Sequence, residues 1–385
     1  MPQPMDAYTF FNSSGCLRYF WTISGALGRS EYRQLKTFTD WPSLSSAIEK
    51  IESIAFYRIL LSGLKDLYDL DFDELDENSL TRIGEKLAAA YKDRGWYRTV
   101  LKDKTGLDVI CQDSRGEMDR SLFSPVARMD DFFWFGRPGW REKVIEKYGT
   151  ERTSTLEGLV DCLREEVREA VGSGAVSIKS NNAWSRMLNY EQVSEHAADD
   201  ALAESQAEAP NGKAIKVLGD YIMDRIADLC AEHDLPLQIH TGPAMGTDHY
   251  VDYGNPLHLN SIILRHPETR FVIFHAGGPF VRECAALAGQ FPNVYLDLCG
   301  VLGRTFLRNI LEEWIELVPH NKLMWGTDVN LVEEAYAITR SFRTVLADFL
   351  MDRVESGYLT PASAESFARG ITSANARRAL RAPSQ

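Results

Sequence analysis

Two histidines and an aspartate in the second half of the chain each follow a short apolar segment. His240 ends Pro-Leu-Gln-Ile-His, His275 ends Phe-Val-Ile-Phe-His, and Asp328 closes Lys-Leu-Met-Trp-Gly-Thr-Asp. A short apolar run that stops at a polar residue indicates a buried strand with a functional group at its C-terminal end. Imidazole and carboxylate groups presented together can hold a catalytic metal or move protons. We therefore predict that His240, His275 and Asp328 share one site.

Lys179 is a fourth candidate, because it ends the apolar segment Gly-Ala-Val-Ser-Ile-Lys. Its amino group could be carboxylated and bind a metal, act as an acid or base, or form a Schiff base. The alternative is a lysine that reaches the rim of the fold and pairs with a carboxylate. The sequence leaves both interpretations open.

Further residues near these segments could contact a substrate. Arg186 and Arg58 could each clamp a carboxylate with two hydrogen bonds, and surface ion pairs are the competing interpretation. The other predicted substrate contacts are polar or aromatic side chains in the same region, namely Trp184, Asp248 and His249. The aromatic segment 131–140 is a candidate for shaping the mouth of the site.

The elements that must position these groups alternate regularly. We predict strands at 5–11, 107–113, 123–130, 174–179, 236–240, 271–275, 293–297 and 322–328, with helical segments between them. Eight such strands predict an α/β fold of the (β/α)8 TIM-barrel type, whose active site lies at the C-terminal ends of the strands. Residues 30–100 are mainly helical and are predicted to form an inserted subdomain on the barrel mouth after strand one. The chain, 1–385, is predicted to form one domain.

Composition excludes several classes of function. The 385 residues carry a net charge of −13, which argues against a nucleic-acid partner. No apolar window is long enough for a membrane span. Six cysteines without CxxC spacing and the lack of a basic, apolar leader favour a reducing, cytoplasmic location. The expected partner is a small-molecule substrate, and a homo-oligomer is compatible with the sequence.

The motifs around His240, His275 and Asp328, with Asn-Val-Tyr-Leu-Asp at 293–297, together resemble the amidohydrolase superfamily. They are most similar to its amidohydrolase 2 branch, which includes FluG-type amidohydrolase domains, and more distantly to uronate isomerases. The resemblance runs from about residue 174 to residue 380. It implies hydrolysis of an amide, lactone or similar polarised bond in a small organic molecule, with decarboxylation and isomerisation as variants.

The resemblance also implies ligands for metal. Family members place a histidine on strands five and six and an aspartate on strand eight, which match His240, His275 and Asp328. A lysine on strand four, often carboxylated, matches Lys179. The family's HxH pair on strand one is missing, because Tyr8 and Phe10 stand at those positions. Its loss removes one metal site of the usual pair.

Three hypotheses follow from this altered motif. In the first, Lys179, His240 and His275 hold a single displaced divalent metal such as zinc, and Asp328 acts as the base in hydrolysis. In the second, no metal is bound, and these four residues act as acids and bases in a lyase, isomerase or cyclase, with Tyr8 as an added proton donor. In the third, the barrel binds a small molecule without catalysis.

Overall fold

The centre of the protein is one curved sheet of seven parallel strands, paired in chain order. The computed structural model describes residues 5–28, 37–113, 118–207, 211–243 and 249–381. The strands are β1 (Cys111–Gln112), β2 (Ser124–Arg128), β3 (Ser177–Ser180), β4 (Leu237–Ile239), β5 (Phe271–Ile273), β6 (Val294–Asp297) and β7 (Leu323–Met324). Helices connect the successive strands from β2 onward, and the predicted α/β fold of the (β/α)8 type is confirmed.

The register of the sheet brings the strand ends level. Arg128 pairs with Lys179, and Ile239 pairs with Ile273 in the next strand. The ladder continues past the strands, because the backbone N–H of His240 donates to the carbonyl of Ser180 at 3.0 Å. Side chains at the C-terminal ends of β2 to β5 therefore lie along one edge of the sheet.

Amphipathic helices cover the outer face of the sheet. The longest between strands, Gly212–Glu232, begins where the Asn211 side chain accepts the Lys213 N–H at 2.7 Å, and it buries residues at helical spacing such as Leu218, Ile222 and Ile226. The helices from β2 onward are Asp130–Phe133, Arg141–Tyr148, Thr150–Thr153, Leu156–Gly172, Glu195–Ser205, Gly212–Glu232, Asn260–Arg265, Val281–Gln290, Arg304–Leu317, Val332–Glu355, Pro361–Arg369 and Asn375–Ala379. None of the described helices is long and apolar enough to cross a membrane.

The first predicted strand is wrong. Residues Ala7–Ser13 form a helix, which begins at Asp6, whose carboxylate accepts the backbone N–H of Thr9 at 2.6 Å. Phe10 and Phe11 are both fully buried, and a strand with one covered face cannot bury two successive side chains. Among the described residues, no strand therefore precedes β1.

The helices before β1 form a second layer with its own apolar core. After Ala7–Ser13 they are Gly15–Ile23, Trp41–Glu49, Ala55–Tyr68, Glu77–Ala90 and Trp96–Arg98, followed by a wider π-helical turn at Thr99–Lys104. This core also includes Leu331, Val332 and Ile338 from the helix after β7. Residues 41–104 are thus mainly helical, as expected. They were also expected to follow a first strand, but no strand precedes them among the described residues. Their assignment to a subdomain on the barrel mouth stays a prediction, and positions 29–36 lie outside the described residues.

A buried carboxylate ties this helical layer to the barrel. Glu333, which is 1% exposed, accepts hydrogen bonds from the Tyr68 hydroxyl at 2.8 Å, the Tyr91 hydroxyl at 3.0 Å and the Trp96 indole N–H at 3.0 Å. Burial raises the pKa of Glu333, and the three donors oppose that rise. The three donors come from separate helical segments, so one side chain fixes their positions relative to the helix Val332–Glu355.

The aromatic segment 131–140 does not shape the mouth in the way expected. Phe132, Phe133, Trp134 and Phe135 are all buried within the main apolar core under the helices. The rings pack edge to face, as between Phe133 and Trp134 at 4.7 Å. They stabilise the helical cover of β2 and β3 and offer no surface to a ligand.

Candidate active site

His240, His275 and Asp328 meet at the C-terminal edge of the sheet, as the sequence predicted. His240 directly follows β4, and His275 follows β5 after one residue. Nε2 of His275 lies 3.0 Å from Nδ1 of His240, and Nδ1 of His275 lies 3.8 Å from Oδ2 of Asp328. The side chain of Asp328 is 47% exposed, whereas that of His275 is 16% exposed. Exposure within the group therefore increases from the imidazole of His275 to the carboxylate of Asp328.

The histidine pair is held by a backbone carbonyl. Nδ1 of His275 lies 2.9 Å from the carbonyl oxygen of Cys299, which can only accept, so this nitrogen carries hydrogen. Burial lowers the pKa of both His240 and His275, and the positive charge of Lys179 lowers each further. Asp328 opposes the effect at His275. Both rings are therefore neutral at neutral pH and able to accept a proton.

Unusual backbone conformations place these side chains. His275, Ala276 and Asp328 have positive φ angles of 63°, 52° and 56°, which are rare for residues other than glycine. Such conformations cluster at functional sites, where neighbouring structure maintains them. Gly300, with φ of +69°, leaves the space that His275 requires, because a Cβ there would lie 2.9 Å from Nδ1 of His275.

Lys179 lies at the same edge in a row of alternating charges. Its ammonium is 3.1 Å from Oδ2 of Asp113 and 4.5 Å from the centre of the Phe274 ring. Asp113 also accepts from Arg128 at 3.2 Å, and Arg128 pairs with Asp130 at 2.5 Å. The structure therefore contains the carboxylate pairing that the sequence left open for Lys179, and it keeps the ammonium near both histidines.

Sequence reasoning missed two charged residues of this edge. Asp113 directly follows β1 and Arg128 ends β2. Asp297, which ends β6, closes the segment 293–297 that the sequence had already singled out. Each carries the same signal as Asp328, a charged residue at the end of an apolar segment. Asp113 and Arg128 were missed because their role at the edge depends on contacts between separate strands, which the sequence does not show.

Asp297 differs electrostatically from the other carboxylates of the edge. Its Oδ1 accepts the backbone N–H of Cys299 at 2.8 Å. Burial raises its pKa to about 6, and the negative charge of Asp328 contributes to the rise, whereas the N–H of Cys299 and the charge of Lys179 oppose it. Asp297 is therefore about half protonated at pH 6 and about a tenth protonated at pH 7.

The predicted substrate contacts separate into two groups. The Trp184 ring lies 5.6 Å from that of His240 and 6.3 Å from that of His249, so Trp184 and His249 border the site. Arg186 is bound 2.6 Å from the buried carboxylate of Asp220, and Arg58 forms an exposed ion pair with Glu74. Both arginines therefore form ion pairs within the protein, which was the alternative to a role in binding the substrate. Asp248 lies outside the described residues.

Tyr8 lies among the N-terminal helices. The charges that raise its pKa, after burial, belong to Glu77, Asp40 and Asp6 and not to residues of the sheet edge. Its helix partner Phe10 is fully buried in the helical core. Neither position is a strand-one position, so the structure does not offer them as substitutes for the missing histidines. A catalytic role for Tyr8 stays a prediction without a supporting contact.

The predicted metal site does not fit the donors present. Nε2 of His275 and Nδ1 of His240 face each other at 3.0 Å, and these two imidazoles are fewer than the three protein ligands of a catalytic zinc. The third predicted ligand, Lys179, is paired as an ammonium with Asp113. Within the part of the chain that the structure describes, no three His, Cys, Asp or Glu side chains could hold an ion.

Comparison with known proteins identifies the family. Residues 155–382 match the family model of the amidohydrolases (amidohydrolase 2), which is more than half of the chain. The chain belongs to this family, within the enzymes of the amidohydrolase superfamily. The family match includes Lys179, His240, His275 and Asp328.

Individual relatives agree with this assignment. Over 172 residues the chain is 35% identical to Protein fluG of Emericella nidulans, a match that covers 42% of this chain and 20% of that protein. The chain therefore spans about a fifth of the length of this relative. Among solved structures, uronate isomerase from Thermotoga maritima superposes with a TM-score of 0.81 at 17% identity, covering 99% of this chain and 90% of that one. Glucuronate isomerase from Caulobacter crescentus gives 0.78 at 14% identity, with 98% and 88% covered. At these identities the two structures show the shared fold.

Proposed function

We propose that this protein converts a small organic molecule by metal-independent acid–base chemistry, as a lyase or isomerase of the amidohydrolase superfamily. The observation that carries the proposal is the chain of contacts from His240 through His275 to the Cys299 carbonyl, beside the ion-paired ammonium of Lys179. These contacts use the same side chains that the alternative, a displaced metal, would require. In this arrangement the edge of the sheet presents proton acceptors next to the positive charge of Lys179.

Each residue has a distinct task in this proposal. Asp328 is the most accessible of the three predicted groups and is placed to accept a proton from the substrate. His275 is neutral and can share a proton with His240 at 3.0 Å, while Asp328 lies 3.8 Å from its other ring nitrogen. The ammonium of Lys179 can stabilise negative charge that develops on a substrate oxygen, which is a large effect in a site shielded from water.

The substrate class is proposed from the same charges. A fixed ammonium and a neutral imidazole pair favour a substrate that carries an oxygen able to become negative, such as a carbonyl or a carboxylate. The structural neighbours named uronate and glucuronate isomerases make uronates reasonable first test compounds. Hydroxy acids, lactones and amides complete a panel that separates proton transfer from hydrolysis.

Metal content tests the proposal against its main rival. The protein would be purified without chelator and its zinc, manganese and iron measured by mass spectrometry, beside the double variant His240→Ala/His275→Ala. The matched control is His196→Ala, because the His196 side chain is 89% exposed on a helix outside the site. We expect less than about 0.1 metal per chain in all three proteins. One metal per chain that is lost only in the double variant would instead support hydrolysis at a single displaced metal.

Turnover tests whether the site is catalytic. With any substrate of the panel that is converted, Asp328→Asn should lower kcat by about 100-fold or more, because an amide cannot accept the proton. Full activity of Asp328→Asn would refute its role as the base. Binding of panel compounds without conversion by the unmodified protein would support the non-catalytic alternative.

A further inference from the structure

Four successive strands, β4 to β7, each bring a titratable residue to the C-terminal edge of the sheet, and one of them has no assigned role. His240, His275 and Asp328 belong to the proposed reaction. Asp297, the last residue of β6, is the fourth. The same edge thus contains a carboxyl group that the proposed acid–base chemistry has not used.

The alternation of β6 fixes the direction of Asp297. Val294 and Leu296 are fully buried in the main core under the outer helices. Tyr295 and Asp297 therefore point to the opposite face, towards the interior of the curved sheet. Tyr295 confirms this direction, because it packs against the inner cluster that includes Val272 and Met324. Asp297, one pleat further along, faces the mouth.

Cys299 hydrogen-bonds the Asp297 carboxyl group through both its backbone N–H and its side chain. The Oδ1 of an asparagine would accept the backbone N–H equally well without a charge. The nearby Gly326 leaves room for both oxygens, since a Cβ on Gly326 would lie 3.8 and 3.9 Å from them. The backbone contact therefore does not require a group that can carry a proton.

The charged and titratable groups around Asp297 come from several elements. They are Lys179 of β3, Cys111 of β1, Cys299 of the loop after β6 and Asp328 of the loop after β7. One cation and one carboxylate are thus present at the same mouth, and burial favours the protonated form of Asp297. Two carboxyl groups at one site can divide acid and base roles between them when their surroundings differ.

We infer that Asp297 is a further catalytic residue, the general acid that delivers a proton to an oxygen of the substrate. The inference rests on the proposed function. As the Asp297 O–H bond breaks, its proton bonds to the substrate oxygen, and the electron pair of that bond stays on the carboxylate. Asp328 takes a second proton from a substrate carbon or hydroxyl group, so the proton count balances and no oxidant or reductant is needed. Asp297 regains its proton from water after release of product.

Chemical labelling tests the inference without a known substrate. A water-soluble carbodiimide reacts with a protonated carboxyl group to form an O-acylisourea, and added glycinamide then displaces the urea to leave a stable amide. The intact native protein would be labelled briefly between pH 5 and pH 8, and the modified peptides identified by mass spectrometry. A carboxyl group must be reachable from solvent to be labelled, and its rate of labelling falls with pH as its protonated fraction falls.

We expect Asp297 to be labelled up to about pH 6–7. At pH 6 about half of it is protonated, compared with under about 1% for a carboxyl with its usual pKa of 3.8, a difference of nearly 100-fold. Asp40 is the internal control, because it is exposed while hydrogen bonds from Ser43 lower its pKa. The Asp297→Asn variant should lose the adduct and keep the rest of the labelling pattern.

Two results would overturn the inference. Absence of an Asp297 adduct at every pH would show that the carboxyl is not reachable from the mouth. An adduct with the same pH dependence as Asp40 would show that it holds no proton near neutral pH. With a converted substrate, Asp297→Asn should also remove the alkaline limb of the pH profile of kcat, which a structural role would leave in place. Labelling is independent of Asp328, so failure of the proposed base leaves this test readable.

Discussion

Replacing Asp297 by asparagine should stabilise the fold while it damages the site. In the folded protein the pKa of Asp297 is about 6, against a usual value of 3.8. The native state therefore binds this proton more tightly than the unfolded chain, and stability decreases as pH rises from about 4 to about 6. Above that window the folded protein carries a carboxylate in an unfavourable position, at a cost that is present in full near pH 8.

The magnitude follows from the same values. A pKa difference of about 2 corresponds to about 3 kcal/mol, at roughly 1.36 kcal/mol per pH unit. Because the mouth admits some water to this partly exposed side chain, we expect Asp297→Asn to recover about 1–2 kcal/mol at pH 8. Asparagine keeps the acceptor for the Cys299 N–H, so this contact does not offset the gain.

Urea unfolding measures the effect directly. The free energy of unfolding of both proteins would be determined at pH 4 and pH 8 from curves of equal slope. The variant should be clearly more stable at pH 8 and much closer to the unmodified protein at pH 4, where Asp297 is protonated in the folded state and partly protonated in the unfolded chain. Equal stability at both pH values, or a loss at pH 8, would refute the electrostatic reasoning. A stabilised protein with reduced activity is the pattern expected where function requires an unfavourable charge.

Three further predictions concern the scaffold, each measured by urea unfolding. His266 bridges Asp224 at 2.8 Å and Asp228 at 3.1 Å, which raises its pKa, so its contribution is full below about pH 6.5 and is lost as pH rises through the folded pKa. His266→Gln should cost about 2 kcal/mol at pH 6 and clearly less at pH 9. Gly63→Ala should cost about 1–3 kcal/mol, since its Cβ would lie 2.3 Å from that of Ala337, whereas Gly172→Ala meets no atom within 4 Å. Glu333→Ala should cost about 3–5 kcal/mol, because it leaves two buried donors and one half-buried donor without their acceptor.

Each of these predictions has a clear contrary result. An equal cost of His266→Gln at both pH values would show that the bridge does not depend on charge. For the glycine pair, an equal gain in stability at both positions would mean that the higher helix propensity of alanine, and not the close approach of the helices Ala55–Tyr68 and Val332–Glu355, decides the effect. A loss below about 1 kcal/mol for Glu333→Ala would indicate that water replaces the carboxylate.

The sequence by itself determined the sheet and most of its functional edge. Segments such as Leu237–Ile239 and Phe271–Ile273 are short, apolar and bounded by turns, and parallel strands in a barrel-type fold end on one side. That reasoning placed His240, His275 and Asp328 together before any distance was known. It succeeded because it depended only on local patterns and on the direction in which parallel strands run.

The first segment was misjudged because its local signals compete. Alternation in Tyr-Thr-Phe-Phe resembles a strand, while Asp6 supplies a helix cap that becomes decisive only when Phe10 and Phe11 are both covered by other helices. Whether two successive rings are buried depends on tertiary packing, which the local sequence does not show.

Only the tertiary structure decided the chemistry of the site. The pairing of Lys179 with Asp113 joins residues of different strands, and the orientation of His275 depends on the carbonyl of Cys299 and on the space left by Gly300. The pKa values of Asp297 and the histidines follow from burial and from these neighbours. The physical reason is that electrostatic interactions act through space at a few ångströms, and the sequence does not state which charges lie that close.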